Sequence, residues 1–132
     1  MSKVFNPQVW LLIFAVSNFA GGSLPSMLSN EGSAEITWGV SSVLAHDAFY
    51  EMTMGIMIAL LTVLAFGMAI FTSGVARAKM AALLGVSMLS CMTILTIYQS
   101  SAGANTGGFM LIVPITIFSG LALSGFLHLK DE

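Results

Sequence analysis

The chain has 132 residues, 57% of them hydrophobic and only 8% charged, with a formal net charge of -2. An ordinary soluble domain is about 25% charged, so this composition excludes a soluble fold with a normal surface and puts the chain in the membrane class. Four Lys and Arg residues are too few for a nucleic-acid footprint, and the single cysteine excludes an internal disulfide and the Cys₄ and Cys₂His₂ metal sites.

Asn6-Pro7 opens the first element. Asn suits a helix N-cap, and Pro suits the first helical position because its missing N–H would be unpaired there anyway. An uncharged span, 9–28, follows, with Trp10 as an interface anchor. Gly21-Gly22 and Pro25 weaken its second half, which is expected to bend or end early. A rival reading makes residues 1–17 a cleaved signal, with Lys3 as a thin basic region, Val9–Phe14 as its core and Ala15-Val16-Ser17 as the small-residue site.

Residues 29–45 form the one long polar connection, with Glu31 and Glu35 and no basic residue. Ser33-Ala34-Glu35 could start a short helix that lays Ile36, Trp38, Val40, Val43 and Leu44 along a membrane surface.

The second span, 46–73, is the most distinctive stretch. Its 28 residues would make about 42 Å of helix, against about 30 Å of hydrocarbon. Projection of its first turns puts His46, Asp47 and Glu51 outside the hydrocarbon. A short basic turn, 73–79, carries Arg77 and Lys79. The third span, 80–100, is dotted with Ser87, Ser90, Cys91, Thr93, Thr96, Tyr98 and Gln99. Cys91 reads as a small buried packing residue. An uncharged Gly- and Asn-rich turn, 101–108, leads to a fourth span, 109–129, with Pro114 one turn in.

The expected fold is therefore all-α: one domain, a compact bundle of four transmembrane helices. Four spans put both termini on one side. Lys3, Arg77, Lys79 and Lys130 all fall there, so the positive-inside rule makes both termini cytoplasmic, across a plasma or inner membrane, and places 29–45 and 101–108 outside. Small residues four apart offer close helix contact: Ser17/Gly21, Gly55/Ala59, Ala65/Ala69, Ala81/Gly85 and Gly120/Ser124.

Three candidate sites follow. Asp47 and Glu51 share a helix stripe, with His46 at its edge. They could bind a cation or relay protons. The preferred alternative is that they are solvated acids favoured at a helix start by the macrodipole. Ten methionines include Met54 and Met57 close after His46. Thioethers and imidazole suit Cu(I), so copper held by His46, Met54 and Met57, with Met27 from the connection, is a chemical possibility set against methionine as core filler. Asn18 on the first span and Thr93, Thr96 and Gln99 on the third are the intramembrane polar groups. Asn18 is expected to bond across helices.

His46 and His128 lie at opposite ends of the bundle and cannot share one haem in one chain. No Asp, Glu, Lys or Arg falls near the centre of a span, where pumps and rotors usually carry one. No phosphate loop, nucleophile elbow or zinc-protease motif occurs. No catalytic residue can be named.

Three functions stay open. The first is a non-catalytic subunit packing against other membrane subunits. The second is a homo-oligomeric transporter or channel for a cation or small solute, gathered by Glu31, Glu35, Asp47 and Glu51. The third is a copper-handling or redox membrane protein using His46 and its neighbouring methionines.

Overall fold

The computed structural model describes residues 4–105 and 108–130. Lys3, residues 106 and 107 of the last turn, and the acidic pair Asp131-Glu132 lie outside the described residues. Among those described, the chain is helical without strands. Three helical stretches are long and apolar enough to cross a membrane: Pro7–Leu28, Asp47–Phe71 and Gly74–Ser101. The fourth long apolar helix is Phe109–Leu127.

The first stretch starts as its sequence dictates. Asn6 is the N-cap of α1 (Pro7–Asn18), its side chain accepting from the Gln8 N–H at 2.9 Å. The stretch does not end at the glycines. A π-helical turn, Phe19–Ser23, carries it into α2 (Leu24–Leu28). Pro25 explains the turn. A proline has no N–H and its ring collides with the carbonyl four residues back. Widening the coil over Gly21-Gly22 accommodates it: the Leu24 N–H goes to Phe19, and Pro25 stands where the π-type donor to Ala20 would be.

After Ser29 breaks the helix, α3 (Asn30–Trp38) begins three residues before the expected Ser33. The Ser33 N–H reaches the Ser29 carbonyl at 2.8 Å, so the first turn closes earlier. Gly39, at φ 86°, ends it. Ala34 is fully buried where α3 packs on α4 (Asp47–Phe71), while Ile36, Val40 and Leu44 are exposed.

The expected basic turn at 73–79 is corrected. Only Thr72 and Ser73 are extended, and α5 (Gly74–Ser101) already includes Arg77 and Lys79. Gly74 takes φ 53°, which reverses the chain where a residue with Cβ would be strained. Ala76 and Ala78 then favour helix. Residues 109–127 form α6, with Pro114 inside it.

The core is largely alanine. Leu11, Phe14 and Ala15 of α1 meet Ala65 and Ala69 of α4, Ala81 of α5, and Phe118 and Leu121 of α6. The Phe14 and Phe118 rings stand 5.6 Å apart. α1 lies against α4 and α6, and α5 and α6 pair closely; α4 and α5 barely touch, although only two residues join them. At the α5–α6 contact a Cβ on Gly85 would come within 2.7 Å of the Ala122 Cα, and one on Gly125 within 2.7 Å of the Ala82 Cα. Glycine is required there because backbone meets backbone.

Three hydrogen bonds define the ends. The Asn105 N–H donates to the Thr37 carbonyl at 2.8 Å, joining the last turn to α3. At the other end the Arg77 guanidinium donates to Gln8 Oε1 at 3.0 Å and to the Thr72 carbonyl. The two acidic-side connections thus share one end, and the α4–α5 turn shares the other with the start of α1.

Candidate functional site

The acidic end of α4 is built from local bonds. Asp47 is the first residue of the helix, and its Oδ2 accepts the Leu44 N–H at 2.7 Å. The Asp47 N–H returns to the Leu44 carbonyl at 3.0 Å. His46 Nε2 lies 3.7 Å from Asp47 Oδ1, and its ring meets Tyr50 edge-on at 5.5 Å. The His46 side chain is 60% exposed and that of Asp47 only 14%. Glu51, one turn on, accepts from the Ser26 hydroxyl at 3.2 Å, which ties α4 to α2. Each carboxylate therefore has a structural partner of its own, and among the described residues no group of three His, Cys, Asp or Glu could hold a metal.

The methionine set is spread along the helix. α4 is continuous from Asp47, so His46 and Met57 are separated by about 16 Å of rise. That exceeds the combined reach of an imidazole and a thioether to one ion. Met54 and Met57 are exposed on the outer face of α4. Met27 turns inward, its sulfur accepting from the Ser23 hydroxyl at 3.4 Å. Within one chain, His46, Met54 and Met57 cannot close on a single copper.

Asn18 does not bond across helices. Its Nδ2 donates to the Phe14 carbonyl of its own helix at 2.9 Å. The crossing bond is made instead by Ser23, which is fully buried and donates to the Gly55 carbonyl at 2.8 Å. In the sequence Ser23 is one serine within the first span, and no local signal marks it as the residue that bonds across helices. A Cβ on Gly55 would lie 2.7 Å from Met27 Cγ and 3.0 Å from the Ser23 carbonyl, so this crossing needs glycine too. Ala59 is half-buried one turn on.

Asn18 instead faces a cleft of about 340 Å³ lined by Ser17, Gly21 and Gly22 on one side and by Pro114, Ile117 and Phe118 on the other. It lies midway along both helical stretches. Gly120 is used differently: the Trp10 ring occupies the place where its Cβ would stand, and Trp10 Nε1 donates to the Val4 carbonyl at 3.0 Å. Ser124 is fully buried and donates to the Leu121 carbonyl at 2.7 Å.

The polar residues of α5 divide. Thr93 and Thr96 line a smaller cleft of about 190 Å³ with Leu111 and Ile115, and Thr93 donates to the Leu89 carbonyl at 2.8 Å. Gln99 is half-buried, and the Gln99 carbonyl accepts the Ala104 N–H at 3.0 Å. Cys91 is exposed, contrary to the buried packing role expected of it. It belongs to an outward stripe with Leu83, Ser87, Ser90, Ile94 and Tyr98, all exposed. The inner face of α5 is taken by Ala78, Ala81, Ala82 and Gly85, which leaves 91 on the outside.

Two buried polar groups stand out. Thr62 is 5% exposed and its hydroxyl has no partner among the described residues, where Arg77 Nε is likewise buried and unbonded.

Comparison with known proteins finds no matching family model, no similar curated protein and no similar solved structure.

Proposed function

We propose that the chain is a non-catalytic integral membrane subunit of a larger complex, a four-span bundle that packs against other transmembrane chains. Both termini are cytoplasmic, and 29–45 and 101–108 face outside. The observation that carries the reading is the outer stripe of α5. Ser87, Ser90 and Cys91 point away from the chain's own bundle. Thr93 satisfies its hydroxyl on its own helix, whereas neither Ser87 nor Ser90 makes a side-chain bond among the described residues. Lipid tails offer a hydroxyl no partner, and small polar residues are favoured where one membrane helix meets another. Leu83, Ile94 and Tyr98 beside them supply the apolar part of such a contact.

Cys91 is the natural probe, because it is the only cysteine and sits in the stripe. A photo-activatable cross-linker on Cys91, fired in native membranes, should join the chain to a different polypeptide at fixed stoichiometry. Cross-links between two copies through Cys91 would replace the subunit reading with a homo-oligomer and move transport to the front. A chain recovered alone, with cross-links to lipid only, would end both.

A further inference from the structure

We propose that the cleft between the π turn of the first helical stretch and Pro114 of α6 binds an uncharged, lipid-soluble ring carbonyl compound of the quinone class. This goes beyond the subunit reading and does not rest on it; it requires only that the chain lies in a membrane.

The first argument is position. Asn18 lies midway along Pro7–Leu28, and Phe118 midway along Phe109–Leu127. Charged headgroups stay at the interface, so a ligand reaching this depth is neutral and carried by the lipid.

The second is backbone. Both walls are irregular at the same depth. The π turn leaves Ala20 without a π-type donor, and Pro114 removes an N–H inside α6. Irregular backbone at membrane depth is tolerated where it is buried or lines a cavity, and interrupted helices in corresponding positions mark binding sites. π turns also occur often at functional sites.

The third is chemistry. About 340 Å³ falls at the lower end of small-ligand pockets, which are mostly apolar with a few placed polar groups. Val113, Pro114 and Ile117 give the apolar wall, and the largely buried Phe118 adds to it. Gly21, where a Cβ would meet nothing within 4 Å, leaves the opposite wall flat. Asn18 spends one amide hydrogen on Phe14 and keeps a second. The Ser17 hydroxyl makes no side-chain bond among the described residues. The cleft thus presents two unspent donors to an acceptor, with the Asn18 Oδ1 as an unspent acceptor beside them. Quinone oxygens accept and do not donate, and their apolar tails can leave through the open side. An acyl chain would leave both donors unanswered.

Gly21 allows a clean test. A Cβ there would meet nothing within 4 Å, so Gly21→Leu begins in open space and is expected to occupy the cleft. The probe is a decyl-tailed benzoquinone, added to the full chain in lipid nanodiscs. Trp10 fluorescence is read in a Trp38→Phe background, since Trp10 overlies Gly120 on the same helix as Phe118. The expected result is saturable quenching with one site per chain. Gly21→Leu should weaken it at least about tenfold, and Asn18→Val by about tenfold, the effect of one lost hydrogen bond. Undecane should not compete. Quenching that never saturates, or that is equal in wild type and in Gly21→Leu of unchanged thermal stability, overturns the proposal: the cleft is then filled by lipid tails or by a partner's helix. If Gly21→Leu fails to fold, Asn18→Val decides by the same criterion.

Discussion

The Ser23 hydroxyl donates to the Gly55 carbonyl at 2.8 Å, and the same glycine takes Met27 against its bare Cα. Hydrogen bond and close approach therefore act at a single crossing, and they differ in size. Interhelical side-chain bonds in membranes average about 0.6 kcal/mol. Forcing extra atoms into a packed contact costs about 1–3 kcal/mol. Ser23→Ala should then lower thermal stability in detergent slightly, and Gly55→Ala clearly more. An equal loss in both would mean that the bond, not the packing, sets this crossing.

The α5–α6 pair gives a sharper comparison. Gly85→Ala and Gly125→Ala each place a Cβ against the backbone of the other helix, and each should cost about 1–3 kcal/mol. Gly21→Ala faces open space and should be neutral or slightly stabilising, because alanine favours helix over glycine by up to about 1 kcal/mol. Unfolding of the three variants in one detergent checks the order. A destabilised Gly21→Ala beside unaffected Gly85→Ala and Gly125→Ala would contradict the packing described.

The long apolar runs were legible because composition alone decides them. So was the Asn6-Pro7 start, where cap chemistry is local. What was not legible was the sense of each helix. α5 carries small polar residues on more than one side, so no periodicity in the sequence separates Cys91, which faces out, from Ala81, which faces in. The charges at Arg77 and Lys79 read as a loop. In the fold they are the first turns of α5, and Arg77 folds back to the Thr72 carbonyl at the end of α4, where a cation complements the helix dipole. Gly21-Gly22 and Pro25 read as weakness in the helix. The π turn that accommodates them brings Ser23 to the Gly55 carbonyl, a tertiary contact that local sequence signals do not display.

Orientation can be read with an impermeant thiol reagent. In a Cys91→Ala background, Glu35→Cys and Ala104→Cys should label from outside intact cells, because the Asn105–Thr37 bond puts both segments at one end. Lys79→Cys should label only after the membrane is opened. The reverse pattern would invert the proposed orientation, and labelling of Glu35→Cys and Ala104→Cys from opposite sides would break the four-span arrangement itself.

The acidic end of α4 offers a variant pair that separates structure from charge. Asp47 holds the Leu44 N–H at 2.7 Å, a bond that needs an acceptor but no charge. Asparagine keeps that acceptor and alanine does not. If Asp47 serves to hold the Leu44 N–H, Asp47→Ala should cost about 0.5–1.5 kcal/mol and Asp47→Asn much less, with cation uptake into liposomes unchanged by either. A cation site needs the carboxylate, so it would lose uptake equally in both. Glu51→Gln extends the same logic one turn further. The amide oxygen can still accept from Ser26, so stability should hold while any charge-dependent uptake falls. Stability lost in Asp47→Ala and retained in Asp47→Asn and Glu51→Gln, with flux flat throughout, would assign both acids to the architecture of this end of α4.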